Sequence, residues 1–181
     1  GAGRTELARI LIGEDTFVSG EVSIQGEKTH VKSVSDSLYK YNMGYITENR
    51  KEEGLLLEST LKTNIAITIW NKIQHTLFRA ISPSKEAETA NKMVDTLDIR
   101  TTGLNQITNN LSGGNQQKAL LARWLHRDSE IFLLDEPTRG VDVGTKTAIY
   151  DLMFEMQSRG KTILIASSEI EELMAVCDRI L

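Results

Sequence analysis

Leu111-Ser112-Gly113-Gly114-Asn115-Gln116-Gln117 and, after Arg127, Ile131-Phe132-Leu133-Leu134-Asp135-Glu136-Pro137-Thr138 decide how this chain folds. Ser112 can cap a helix over Gln116 to His126, which leaves the backbone N–H groups of Gly113 and Gly114 pointing outward. Such a helix start attracts anions through its unsatisfied donors and its dipole, and glycine lets a phosphate come close to the backbone. The second stretch is four apolar residues followed by two carboxylates. It reads as a strand buried on both faces with Asp135 and Glu136 at its carboxyl end, where ligands gather in open α/β sheets. The two together point to phosphate and magnesium chemistry.

Outward from there, Ile131 to Leu134, Lys146 to Gln157, Thr162 to Ala166 and Glu169 to Val176 alternate strand and helix, the pattern of a parallel sheet with covering helices. Upstream, Arg4 to Ile12 has helical spacing, Gly20 to Gln25 alternates as a strand, and Ser33 to Tyr41 is a short helix. Gly44 to Thr47 is a strand that leads into a charged loop, Glu48 to Gly54. From there to about Trp124 strand signals are scarce. Lys62 to Trp70 suggests a helix, and Ser82-Pro83 opens another that runs to about Leu97. The expected architecture is an α/β core over residues 1–47 and 127–181, interrupted by a helical subdomain over 48–126.

The 181 residues suit one domain with a sizeable core. A net charge of −4, with basic residues scattered, argues against a nucleic-acid partner. A single cysteine, Cys177, excludes an internal disulfide and fits a reducing compartment. No apolar stretch is long enough to cross a bilayer. His30, His75 and His126 share no metal-ligand spacing. Trp70 and Trp124 are expected in the core or at an interface.

The signature stretch, the DEPT stretch and the following Arg139-Gly140-Val141-Asp142-Val143-Gly144 resemble the ABC-type ATPases over essentially the whole chain, most of all the C-terminal half of fused double ATPases of monosaccharide importers. The resemblance implies a P-loop NTPase core with ATP and Mg²⁺ as cofactors. Asp135 would hold magnesium and Glu136 would act as general base toward the attacking water. Ser112, Gly113, Gly114 and Gln116 would face nucleotide, with Asn115 and Gln116 equally readable as ordinary first-turn helix residues, and Asp142 would touch an opposing ATPase domain; a turn aspartate is the plain alternative for Asp142.

Gly1-Ala2-Gly3-Arg4-Thr5-Glu6 is similar to the end of a P-loop whose first glycine and preceding strand are absent. Gly1 and Gly3 would cradle phosphate and Thr5 would serve magnesium, while Arg4 stands at the lysine position and keeps the charge with a different geometry. Two further positions depart from the family pattern: Glu48 replaces a glutamine that contacts magnesium and water and faces the permease, and Ser168 replaces a switch histidine. Ser168-Glu169-Ile170-Glu171 also fits a capping box, which gives that serine a structural alternative.

In that family nucleotide lies between the P-loop of one domain and the signature of the other. The expectation is therefore that this chain lends Ser112, Gly113 and Gly114 to a partner, the N-terminal ATPase half of the same protein, and keeps a weakened pocket around Arg4, Glu48 and Ser168. The implied setting is the cytoplasmic face of the membrane, with a transmembrane permease and, indirectly, a sugar-binding protein. The alternatives are a regulatory nucleotide-binding module without hydrolysis and a soluble ABC-type ATPase of DNA repair or translation. The absence of a coiled-coil insertion and the acidic balance disfavour the last.

Overall fold

The computed structural model describes residues 3–73 and 80–181; Gly1 and His75 lie outside the described residues. Helix α1 (Arg4–Leu11) starts at Gly3, whose φ of 74° is the left-handed conformation that glycine adopts without cost. Strands β1 (Val22–Ile24) and β2 (Glu27–Thr29) form an antiparallel hairpin. Helix α2 (Val34–Tyr39), capped by the hydroxyl of Ser33, leads to β3 (Met43–Ile46). Then come α3 (Leu61–Ala66), α4 (Trp70–Ile73), α5 (Pro83–Thr96) and α6 (Gly113–Arg127). Strand β4 (Ile131–Asp135), α7 (Val143–Ser158), β5 (Thr162–Ala166) and α8 (Ile170–Val176) complete the order.

Strands β3, β4 and β5 lie side by side and parallel, with Ile46 opposite Leu134 and Asp135 opposite Ala166. This is the α/β layer expected from the alternation of elements, and the start of α1 meets the carboxyl end of β4 and the segment after β5. Helix α6 joins the layer to the inserted helices. Its buried Ala119, Leu120, Leu121 and Ala122 share one apolar cluster with Phe132 and Leu134 of the sheet, Ile149 and Leu152 of α7, and Leu61, Ile65, Ala90 and Met93 of α3 and α5. At about 25 cal/mol per Å² of apolar area removed from water, this continuous cluster is what fixes the helical insertion on the sheet.

Several local expectations are corrected. The strand expected over Gly20 to Gln25 is the first half of a hairpin, which turns at Gln25 and Gly26 with φ of 54° and 81°. Arg50–Gly54, expected as a loop, winds into one π-helical turn. The helix expected over Lys62 to Trp70 is broken by a 3₁₀ turn, Ile67–Ile69, which re-aims α4. Ser82 precedes α5 as expected but makes no side-chain capping bond; its hydroxyl meets that of Ser84 at 3.1 Å.

Candidate active site

Three strand ends and one helix start converge. Asp135 ends β4 with 1 % of its surface exposed, and Thr5 in the first turn of α1 donates its hydroxyl to Asp135 Oδ2 at 2.6 Å. A buried carboxylate beside a hydroxyl is a hard-oxygen set suited to Mg²⁺, which takes one or two carboxylates and completes its shell with water and phosphate oxygens. Among the described residues no group of three or more His, Cys, Asp or Glu could hold a metal.

Glu136 follows at φ 50°, a left-handed conformation that costs a residue with a side chain about 1–3 kcal/mol unless its surroundings impose it. The surroundings do so here. Its N–H donates to Ala166 O at 2.8 Å, and its carbonyl accepts from Arg139 N at 3.1 Å. Both carboxylate oxygens are engaged as well: Arg4 Nη2 lies 3.3 Å from Oε1, and Ser168 Oγ donates to Oε2 at 3.0 Å. Arg4 is fixed from its other nitrogen, Nη1, which donates to Ser167 O at 2.6 Å.

The capping box expected at Ser168 does not form. Helix α8 starts at Glu169 with no side-chain cap; Ser167 Oγ accepts from Glu169 N at 3.1 Å in the preceding turn, and the Ser168 hydroxyl donates to Glu136. Glu48 is half-exposed and ion-paired with Arg139. Glu6 is exposed in the first turn of α1, where a negative charge favours the helix.

The signature stretch sits apart from this cluster. Ser112 caps α6, accepting from Asn115 N at 3.4 Å and Asn115 Nδ2 at 2.9 Å, while its own O–H has no acceptor among the described residues and is exposed. Gly114 borders a cavity of about 850 Å³ with Ser112, Asp142, Lys118 and Arg100. Gln116, expected to face nucleotide, is turned inward: one helical turn from Gly113 it falls on the buried face with Leu120 and Arg123, and its Nε2 donates to Thr108 O at 3.2 Å. Asp142 caps α7, accepting from Thr145 N at 3.0 Å and Thr145 Oγ1 at 2.8 Å. Those two bonds, the backbone one first, hold its carboxyl below the ordinary carboxylate range.

The two signature glycines are required for different neighbours. A Cβ on Gly113 would lie 2.8 Å from Arg50 Nη2, the free end of a long side chain. A Cβ on Gly114 would lie 2.9 Å from Thr145 Oγ1 and 3.2 Å from Asp142 Oδ2, groups locked together as the cap of α7. Gly114→Ala is therefore expected to destabilise the chain by about 1–3 kcal/mol through overpacking, and Gly113→Ala by clearly less. Urea unfolding of the two variants checks the order.

Arg50, Arg139, Gln117 and Ser167 were not singled out by sequence reasoning. Arg50 Nη1 donates to Arg139 O at 3.0 Å, which ties the turn after Glu48 to the segment before Asp142. Burial lowers the pKa of the Arg50 guanidinium. The repeated Arg50-Lys51 and Arg139 charges were the available signal, but a charged loop reads as solvated until its fold is known.

A parallel sheet that brings carboxylates and a hydroxyl-bearing helix start to its carboxyl edge, with helices inserted between β3 and the acidic strand β4, defines a P-loop NTPase core with a helical subdomain. The chain matches the ABC transporter family model over residues 1–139 and belongs to that family. It is 44 % identical over 182 residues to a putative ribose/galactose/methyl galactoside import ATP-binding protein of Halalkalibacterium halodurans, covering 100 % of this chain and 34 % of that protein. With the ribose import ATP-binding protein RbsA of Bacillus subtilis it shares 43 % identity over 181 residues, 100 % of this chain and 36 % of the relative. The chain thus spans about a third of the length of these curated relatives.

Among solved structures, the dimeric post-hydrolysis ATP-binding cassette MJ0796 bound to ADP and Pi superposes with a TM-score of 0.77 at 24 % identity, covering 96 % of this chain and 73 % of that one. A nucleotide-free cassette from an ABC transporter gives 0.78 at 20 %, covering 98 % and 70 %. At these identities the likeness concerns the fold.

Proposed function

We propose that this chain is an ATP-binding domain of a sugar importer of the ribose/galactose kind, and that it works in a pair with an opposing ATPase domain. Its signature face supplies Ser112, Gly113 and Gly114 to nucleotide held by that domain, and its own pocket around Arg4 and Glu136 is catalytically weak. The observation that carries this reading is the contrast between the two faces: the Ser112 hydroxyl is exposed with an unused proton, whereas both carboxylate oxygens of Glu136 are already occupied.

A general base must accept a hydrogen bond from the attacking water. In this pocket the water competes with the Arg4 guanidinium at one oxygen and the Ser168 hydroxyl at the other. Ser168 also cannot bring the positive charge of an imidazolium to a terminal phosphate. Magnesium, when bound, would neutralise phosphate charge; Thr5 and Asp135 are the oxygens that would hold it. Gly1, Gly3 and Arg4 would line the phosphate side, and Glu48 the approach from the helical insertion.

Coupling to a transmembrane permease is placed at the turn that follows Glu48. There Lys51, Glu52 and Leu56 are exposed together, and Leu56 is 46 % exposed. Among the described residues no helix is long and apolar enough to cross a membrane. The inner face of the membrane is the corresponding location, and a sugar-binding protein would deliver substrate from the other side. The occupied state of Glu136 also favours a second reading, a regulatory pocket that binds nucleotide and does not turn it over.

The test is ATP turnover by the intact importer ATPase carrying Arg4→Ala. Turnover is expected to fall by less than about threefold, under about 0.7 kcal/mol of barrier, because the productive site lies elsewhere. A loss of about a hundredfold or more would make this pocket the principal one and overturn the reading.

A further inference from the structure

The peptide that follows Glu136 is gripped from two sides by buried side chains. Gln117 Nε2 donates to Pro137 O at 2.7 Å, and Thr138 Oγ1 donates to Glu172 Oε1 at 2.7 Å; Gln117 is 2 % exposed and Glu172 3 %. Immediately before these anchors Glu136 keeps its left-handed backbone, a conformation that persists only where neighbours over-determine it. Gln117 lies on α6, five residues past Ser112. One short, rigid piece of helix therefore carries both the Ser112 hydroxyl of the signature face and the amide that holds the turn of Glu136.

We infer that Gln117 is a positioning residue that couples this domain's own nucleotide pocket to the half-site it supplies to the opposing domain. The inference rests on the two-faced reading above. When the signature face closes on a phosphate, the first turns of α6 shift as a unit, and the 2.7 Å bond carries that shift to Pro137 and so to Glu136. In the other direction, nucleotide that displaces Arg4 from Glu136 releases the turn, and the same bond carries the change to Ser112 and Gly114. The bond is short and joins buried groups, so a displacement at one end is felt at the other.

The test is a double-mutant cycle on ATP turnover by the intact ATPase, with wild type, Glu136→Gln, Gln117→Met and the double variant. Methionine keeps the length and volume of Gln117 and removes only the donor. Glu136→Gln is expected to change turnover at the opposing composite site by about fivefold. In the Gln117→Met background the same substitution is expected to change it by less than about 1.5-fold, because the link is gone.

If Glu136→Gln has the same fold-effect in both backgrounds, Gln117 is merely structural and the inference is overturned, whatever Gln117→Met does to thermal stability. If Glu136→Gln has no effect at all, there is no coupling for Gln117 to carry, and the inference is equally overturned. Gln117→Asn, which keeps the amide but falls short of Pro137, gives the same comparison should the methionine variant fold poorly. Ser112→Arg separates the two levels. Turnover abolished by Ser112→Arg with an uncoupled cycle removes the role of Gln117 alone; turnover untouched by it removes the two-faced reading and the inference together.

Discussion

Ser112→Arg is expected to abolish ATP turnover by the intact transporter ATPase, by about a hundredfold or more, while the 181-residue chain unfolds at nearly its normal temperature. The asymmetry follows from what Ser112 does on its own domain. As cap of α6 its oxygen accepts from Asn115 N at 3.4 Å, a long bond, and from Asn115 Nδ2 at 2.9 Å. Loss of a cap of this kind costs about 0.5–2 kcal/mol, a change that α6, half of whose residues are buried, can absorb. On the other side, in the proposed pairing, the exposed hydroxyl and the backbone N–H groups of Gly113 and Gly114 are the small surface that a phosphate would meet. A guanidinium on its long stem fills that space, and removing one preorganised donor from a transition state alone costs about 10²–10³ in rate. Paired measurements of turnover and thermal unfolding decide the matter. Turnover kept within about threefold of wild type would mean that no nucleotide meets this face.

The sheet and its carboxyl edge were legible because their signals are local. Ile131 to Leu134 is a continuous apolar run, Thr162 to Ala166 another, and in the structure they pair in register with Asp135 at the shared end. Helix α6 was equally plain from its serine, its glycines and its apolar period. What escaped is long-range or polar. β2 carries Glu27, Lys28 and Thr29, with no apolar alternation, and its turn uses Gln-Gly where Asn-Gly would have announced a hairpin. Arg4 and Glu136 are 132 residues apart, so the contact that occupies the candidate base could not be read from spacing. At Ser168 two local patterns competed, a capping box and a family position; in the fold α8 has no side-chain cap and the Ser168 hydroxyl turns to Glu136. Gln116 had two readings, ligand-facing or an ordinary first-turn helix residue, and the helical period puts it on the buried face.

The largest effect on stability is expected from Arg123→Met. Arg123 is 8 % exposed and faces no carboxylate; its Nε donates to Asn64 O at 2.8 Å, its Nη2 to Asn64 Oδ1 at 2.8 Å, and its Nη1 to Gly54 O. Burial lowers its pKa to about 10, so folding disfavours the charge. The residue is held for its donors. Asn64, fully buried, uses its remaining capacity on Leu56 N and O, Thr60 O and the Thr108 hydroxyl. The guanidinium thereby joins α6, α3 and the π-helical turn that ends at Gly54. Methionine matches the stem and leaves three buried acceptors short of a donor, each costing about 1–3 kcal/mol when unsatisfied, with partial relief as neighbours relax. A net loss of about 3–5 kcal/mol lowers the unfolding midpoint of a domain this size by about 10 °C or more. Arg123→Lys is expected to recover little of it, because one ammonium cannot reach the three oxygens that Asn64 and Gly54 present to the planar guanidinium. Calorimetry on both variants measures the loss directly. A midpoint within about 2 °C of wild type for Arg123→Met would mean that the turn after Glu48 is held by apolar packing alone, and that its tie to the signature helix is dispensable.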